Sequence, residues 1–409
     1  MTDIREVSVD ELRHLVSERA FSGETMLLNM GPQHPSTHGV LRLLLELDGE
    51  ILVNCIPDIG FLHTGVEKTM ESKTYQKAEV LTDRLDYMNP PGNNLVYCLA
   101  VEKLLDLDVP PRAQAIRVIL AELTRISSHL LSLGTSALDL AAMSLFLYCM
   151  REREMILDIM ELVSGQRMMT TYIRPGGVWR DVPAEFASLV NQFVSIMPRR
   201  IDEYEGMLTH NDLFLDRTRG IGVINTADCL RYGVTGPILR ATGVAHDLRK
   251  VRPYSGYEQY DFVIPTQTEG DVYSRYLVRV EEMRQSVRII DQALRLMPGG
   301  AVRSNNRKYV PPPRSELGVS MEALIHHFKL WTEGFDAPEG YVYTAIESPR
   351  GELGVYLEGD GGPKPYRVHF RTPSFAHLQI MPLVTRGHFV ADTVGIIGSI
   401  DIVLGDADR

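Results

Sequence analysis

The segment that opens at Pro110-Pro111 constrains this chain most. After the two prolines, Ile116, Ile119, Leu120, Leu123, Ile126, Leu130 and Leu133 recur at spacings of three and four. That is the period of one buried helix face. Proline opens a helix without loss, because the first amides have no partner inside it. So long an apolar stripe needs other helices to cover it, and the sequence supplies them. Leu145 to Val163 reads as a second helix, with the run Arg151-Glu152-Arg153-Glu154 expected on an exposed or ion-paired face. Over residues 274–297, Leu277, Val280, Met283, Val287, Ile290 and Leu294 form a stripe against a strongly polar back, stopped by Pro298-Gly299-Gly300. Met321 to Trp331 reads as one more helix after the stiff Pro311-Pro312-Pro313 linker.

Strand patterns lie at both ends. In GPQHPSTHGVLR, Gly31 to Arg42, Pro35 between His34 and His38 removes a backbone donor, so the two histidines belong to a stiff loop and not to a metal-binding helix. Beyond it Leu41, Leu43, Leu45 and Leu47 alternate with Arg42 and Glu46, and Asp48-Gly49 signals a hairpin. Near the other end ELGVYLEGDGGPKPYRVHF reads as two strands joined by a Gly/Pro turn. Residues 208–272 read as irregular with short strands. The expected fold class is α+β: a central helical bundle with small antiparallel sheets at its N-terminal and C-terminal ends. The expected divisions are a helical lead-in and hairpin region over 1–60, a helical bundle over 61–207, and a mixed region over 208–409 that completes it.

Composition removes several classes of function. A net charge of −11, without a clustered Lys/Arg stripe, disfavours nucleic acid. No run of about 18 apolar residues suggests a membrane span. VGIIGSIDIVLG is short and is cut by Asp401, and the N-terminus has no apolar signal-peptide core. Cys55, Cys98, Cys149 and Cys229 form no CxxC pair. They read as small buried apolar residues and not as ligands of zinc or an iron–sulfur cluster. Walker, G-x-G-x-x-G and G-x-S-x-G motifs are missing.

The polar candidates are few. His34 and His38 either cap loop carbonyls or face a pocket. Tyr87 lies in DRLDYM, near Arg84, which a surface ion pair would also explain. Asp139 lies among small apolar residues in SALDLAAM, where it caps the following helix or stands as a desolvated, paired carboxylate.

GPQHPSTHGVLR is followed in order by IGFLHTGVEK, DRLDY, AVEKLL, PPRAQAIRVILAEL, REREMILD, YIRPGG, PYSGYE and RGELGVY…DGG…PYRVHFRTPSF. This collinear set resembles the D-type subunits of bacterial NADH:quinone oxidoreductase, complex I, from about Thr25 to Arg409. The resemblance implies a hydrogenase-large-subunit-like fold without the metal site. It implies a peripheral subunit on the cytoplasmic side of the cell membrane, not active alone, in a proton-pumping enzyme. Quinone is the implied substrate. The terminal [4Fe–4S] cluster is implied in the adjacent iron–sulfur (B-type) subunit, with C-type and I-type peripheral subunits and an H-type membrane subunit as further partners. His38 and Tyr87 match the residues that hydrogen-bond the quinone carbonyl, and Asp139 matches the acidic partner of His38. His34, Asp401 and Val403 match residues lining the same region, and Arg84 matches an arginine beside the neighbour's cluster. A ferredoxin-fed complex with the same pocket, or an assembly scaffold, are the other readings.

Two departures from the family stand out. The closing SIDIVLGDADR and the DRLDY segment hold no cysteines where hydrogenase relatives bind nickel and iron, so hydrogenase activity is not expected. In GQRMMTTYIRPGG, Met169 stands where many members carry a histidine beside the terminal cluster. A thioether takes up no proton there, so a lower cluster potential with little pH dependence is expected.

Overall fold

The computed structural model describes residues 25–34 and 39–409. The lead-in over 1–22 and His38 lie outside the described residues. Strands β1 (Met26–Met30), β2 (Arg42–Asp48) and β3 (Ile51–Asp58) form an antiparallel sheet in that order. Asp48 pairs with Ile51, and Gly49 between them turns at φ 63°, the left-handed geometry of a tight hairpin. Leu43, Leu45 and Leu47 are buried as the alternation requires. Glu46 on the other face is buried too, where it accepts the Thr25 hydroxyl at 2.9 Å. The sheet packs on Ile238 from mid-chain and on Ile380, Ile396 and Ile400 from the far end.

The helical region comprises α1 (Val66–Glu71), α2 (Tyr75–Thr82), α3 (Pro90–Leu105), α4 (Pro111–Asp139), α5 (Met143–Ser164), α6 (Phe186–Leu208) and α7 (Val272–Leu296). All seven apolar residues of the α4 stripe are buried, against α5 and α7. Between α5 and α6 lies the small hairpin of β4 (Ile173–Arg174) and β5 (Gly177–Val178). A Cβ on Gly177 would stand 2.1 Å from the Val302 carbonyl oxygen, so only glycine fits there. Helix α8 (Met321–Thr332) leads to strands β6 (Gly340–Ser348), β7 (Gly351–Gly359) and β8 (Pro365–Arg371), with β7 central. Helices α9 (Val390–Ile400) and α10 (Leu404–Asp408) close the described chain. The α+β architecture with small antiparallel sheets stands, and β6 adds a strand to the expected C-terminal pair.

One local expectation changes, and two polar faces are paired inside the protein. The stretch 208–272 holds short helices, among them Asp212–Asp216, Thr226–Arg231 and Leu248–Val251, and no named strand. The reason is capping: Asn211, Asn225 and Asp247 accept the backbone N–H of Phe214, Asp228 and Arg249 at 3.1, 2.8 and 2.9 Å. In the charged run of α5, Glu152 is buried and takes hydrogen bonds from Arg151 and Tyr204. The polar back of α7 is buried as well, with Arg275, Arg279, Glu282 and Ser286 inside the protein. Arg240 bridges Glu282 at 2.8 Å and Glu347 at 2.7 Å, and His129 meets Glu282 at 2.8 Å. Arg249 joins Asp247 at 2.6 Å and Glu122 at 3.0 Å. Pairing of this kind is what burial of a charge demands.

Candidate functional site

Tyr87 sits in the turn between α2 and α3. Its neighbour Asp86 is buried and folds back to accept the Met88 amide at 3.1 Å. The second Asp86 oxygen receives Arg350 Nη1 at 2.7 Å. Arg350 lies in the tight β6–β7 turn, so the hairpin itself aims its guanidinium inward. The same group donates to Ser128 Oγ of α4 at 3.1 Å, to the Asp401 carbonyl at 2.8 Å and to Asp401 Oδ1 at 3.3 Å. Asp401 caps the end of α9 in the left-handed conformation, φ 57°. That geometry is tolerated by a short polar side chain, and it turns the chain into α10.

Helix α10 then lies on the Arg84–Tyr87 backbone. A Cβ on Gly405 would stand 2.5 Å from the Leu85 oxygen and 3.4 Å from the Tyr87 ring, so this close approach needs glycine. From α10, Asp406 accepts the Ser374 amide at 3.1 Å. Asp408 accepts the amides of Gly60 and Leu62 at 2.9 and 2.7 Å, and its carbonyl meets His63 Nδ1 at 2.7 Å. Four distant motifs, FLH, DRLDY, RGELG and IDIVLGDAD, therefore meet in one place.

The electrostatics follow from the count of charges. Three buried carboxyls, Asp86, Asp401 and Asp406, share one guanidinium. Burial pushes the Asp406 carboxyl up to about 6, helped by the nearby Asp86. Burial also raises Asp86, although Arg350 opposes it. One Asp401 oxygen and one Asp406 oxygen are buried without a hydrogen-bond partner among the described residues. The Tyr87 phenol is held above its usual value by burial, with Arg350 working the other way. It is half-buried and opens on a cleft of about 20 Å³ between Met88, Pro91, Arg153, Met160 and Met168. That is room for about one water.

The remaining candidates are dispersed. Val403 is buried beside Asp401, and its amide meets Ser374 Oγ at 3.3 Å. Arg84 is exposed, and Met169 is half-buried one residue beyond the cleft-lining Met168. His34 is exposed and forms an isolated bridge with Gly39. Asp139 does not cap the following helix: it is the last residue of α4, and α5 starts after Ala142 without a side-chain cap. It stands eleven residues beyond Ser128, about 16 Å along the helix. A cavity of about 30 Å³ lies on this stretch, lined by Ser132, Ser136, Tyr276, Arg279 and Ser399. Arg350, Ser128, Asp86 and Asp406 are site residues that sequence reasoning misses. The available signal is that three of them stand inside the motifs DRLDY, RGELG and IDIVLGDAD.

The four cysteines are free and buried in separate places, and burial pushes the Cys55 thiol up to about 12. Among the described residues no group of three or more His, Cys, Asp and Glu is placed to hold a metal ion. No described helix is long and apolar enough to cross a membrane.

The family model for the respiratory-chain NADH dehydrogenase 49 kDa subunit matches residues 139–409. The chain is 62% identical over 399 residues to a D-type NADH-quinone oxidoreductase subunit of Chloroflexus aurantiacus, covering 96% of this chain and 97% of that one. It is 62% identical over 399 residues to the like-named protein of a Roseiflexus species, covering 96% of each. Against the D-type NADH-quinone oxidoreductase subunit of Geotalea uraniireducens it is 53% identical over 388 residues, 95% of this chain and 100% of that one.

Proposed function

The chain belongs to the family of the 49 kDa subunit of respiratory-chain NADH dehydrogenase and is a subunit of an NADH-quinone oxidoreductase; from that premise we propose that it builds, with an adjacent iron–sulfur subunit, the pocket where quinone is reduced. The carrying observation is the half-buried Tyr87 above a buried cluster of three carboxyls and Arg350. Reducing a quinone to a quinol takes two electrons and two protons. The electrons arrive from the terminal [4Fe–4S] cluster of the adjacent subunit. Protons come from this chain. A phenol kept neutral by burial can donate to a carbonyl oxygen, and His38 supplies the second donor. Behind Tyr87, the Asp406 carboxyl keeps a proton up to about pH 6 and serves as a reservoir. Removing charge at the pocket alters the field along α4, at whose end Asp139 stands. There the helix carbonyls point outward and disfavour a carboxylate, which is therefore sensitive to the loss of positive charge nearby. Discharge of that coupling drives proton pumping in the membrane arm.

In this reading the protein is peripheral on the cytoplasmic side of the membrane. It contacts B-, C- and I-type peripheral subunits and an H-type membrane subunit, and its bundle is the hydrogenase-like architecture without the metal site. Tyr87→Phe in the assembled complex is expected to lower donor:quinone activity roughly 100-fold or more, the lower end of the share of one proton donor. Donor:ferricyanide activity, which bypasses the pocket, should be unchanged; quinone activity that persists unchanged would sink the assignment, and equal loss of both activities would report damaged assembly. Asp139→Asn should leave turnover near normal and lower protons pumped per quinone, read with a pH dye in sealed vesicles. Met169→His should raise the potential of the neighbour's terminal cluster and give it a pH slope in a redox titration. A slope already present with Met169 would count against that role.

A further inference from the structure

A groove of about 450 Å³ runs between β4–β5, the Pro311-Pro312 segment and α8. Its walls are aromatic and cationic. The chain's two tryptophans, Trp179 and Trp331, both line it, and the Arg174 guanidinium lies 5.9 and 5.8 Å from their rings. Arg303 and Arg314 line it too, with His327. None of the three arginines forms an ion pair among the described residues. The nearby Glu316 is turned to Arg307 at 3.1 Å. Arg303 spends its Nε on the Val178 carbonyl at 3.2 Å, and burial and Arg174 together depress its ionisation. Behind Arg174, burial pushes the Glu79 carboxyl up to about 8, so it stays protonated at neutral pH and does not neutralise the groove. A chain of net charge −11 thus keeps a concentrated positive patch in a concave site.

The outer face of α8 continues this groove. Met321, Leu324, Ile325 and Phe328 are 71, 50, 51 and 65% exposed, and Val319 before the helix is 86% exposed. Their spacing of three, four and seven puts them on one stripe. Leu324 is the neighbour, at three and seven positions, of His327 and Trp331, which face the groove. The two surfaces are therefore one, about 18 Å long over the twelve residues of α8.

We propose that this surface docks an acidic segment of another polypeptide of the complex, its carboxylates on Arg174, Arg303 and Arg314 and its apolar side chains on Met321, Leu324 and Phe328. The charge complementarity selects the occupant. A small anion would leave the apolar stripe bare. A lipid surface calls for basic residues flanking the apolar face, whereas Arg174 and Arg303 line the concavity and α8 carries the exposed Glu322, its one lysine, Lys329, being paired with Glu333 at 3.9 Å just past the helix end. The groove shares no lining residue with the Tyr87 cleft, so the adduct is read independently of the quinone reading.

The test uses the assembled complex carrying p-benzoyl-phenylalanine at position 328, irradiated and mapped by mass spectrometry. The expected adduct joins a segment of a different subunit in which Asp and Glu outnumber Lys and Arg. Arg314→Glu, at an exposed residue that leaves the fold intact, should lower the adduct yield roughly fivefold at low salt and less at high salt, as charge pairing requires. An adduct to lipid, to a second copy of this chain or to a neutral or basic segment overturns the proposal. So does no adduct, or a yield unmoved by Arg314→Glu.

Discussion

Replacing Arg350 with methionine is expected to destabilise the protein by about 3–5 kcal/mol, the range for breaking a buried charge pair by removing one partner. Arg350 is the only guanidinium bonded to Asp86 and Asp401 among the described residues, and it also ties Ser128 of α4 to the β6–β7 turn. Without it three buried carboxyls face one another. Their protonation then decides the size of the effect, and the sign can be worked out. Asp86 and Asp406 already bind protons more tightly folded than unfolded, because burial raises both. Such groups favour the folded state at low pH. They withdraw that support as pH rises from the unfolded value, about 3.9. In Arg350→Met their folded values rise further. The loss should therefore be largest above about pH 7 and shrink toward pH 4.5, read from urea midpoints at the two pH values. Adding Asp86→Asn to Arg350→Met should recover part of the loss at pH 7. A deficit independent of pH and untouched by Asp86→Asn would mean that packing, not charge, explains Arg350.

Glu122→Ala is the second large effect, also about 3–5 kcal/mol and a sizeable part of a typical margin of about 5–15 kcal/mol. Glu122 is fully buried in α4. It accepts Arg125 at 3.2 Å, Arg249 at 3.0 Å, the Tyr257 hydroxyl at 2.6 Å and the Ser286 hydroxyl at 2.7 Å. Truncation strands Arg125 with only the Ser348 and Glu347 carbonyls, and it leaves two hydroxyls without an acceptor. Glu122→Gln keeps shape and some hydrogen bonds, so it should lose less than alanine. Burial alone would raise the Glu122 carboxyl, but Arg249 and Arg125 outweigh it and the net direction is down. A depressed carboxyl stabilises the fold above its unfolded value and loses that contribution as pH falls. The wild type should weaken on acidification through this group, and Glu122→Ala should lack that part of the acid limb. Equal acid sensitivity in both proteins would remove Glu122 as its cause.

Much of the fold is legible in the sequence because it is local. The α4 stripe, the Asp48-Gly49 hairpin, the end of α7 at Pro298 and the β7–β8 pair all follow from spacing within a single segment. Capping is written locally too, yet Asn211, Asn225 and Asp247 are equally at home in loops, and the stretch they organise reads as irregular until the caps are seen. The burial of the polar back of α7 is not legible for another reason. Periodicity separates apolar from polar faces, but it does not say whether a polar face meets water or an opposing charge. Arg279 and Glu282 look like solvent residues in sequence, and they are buried because Arg240, His129 and the end of α9 cover them.

The sequence by itself determined the element types outside 208–272, the family and the identity of Tyr87, Asp401 and Val403 as residues worth locating. Only the tertiary structure decided that Asp86, Arg350, Asp401 and Asp406 form one cluster, since the bonded pair Arg350–Asp86 spans 264 positions. Long-range charge pairing has no period along the chain. It arises where a β-turn, a helix end and the C-terminal helix are packed together, and desolvation there turns ordinary carboxylates into proton-holding groups.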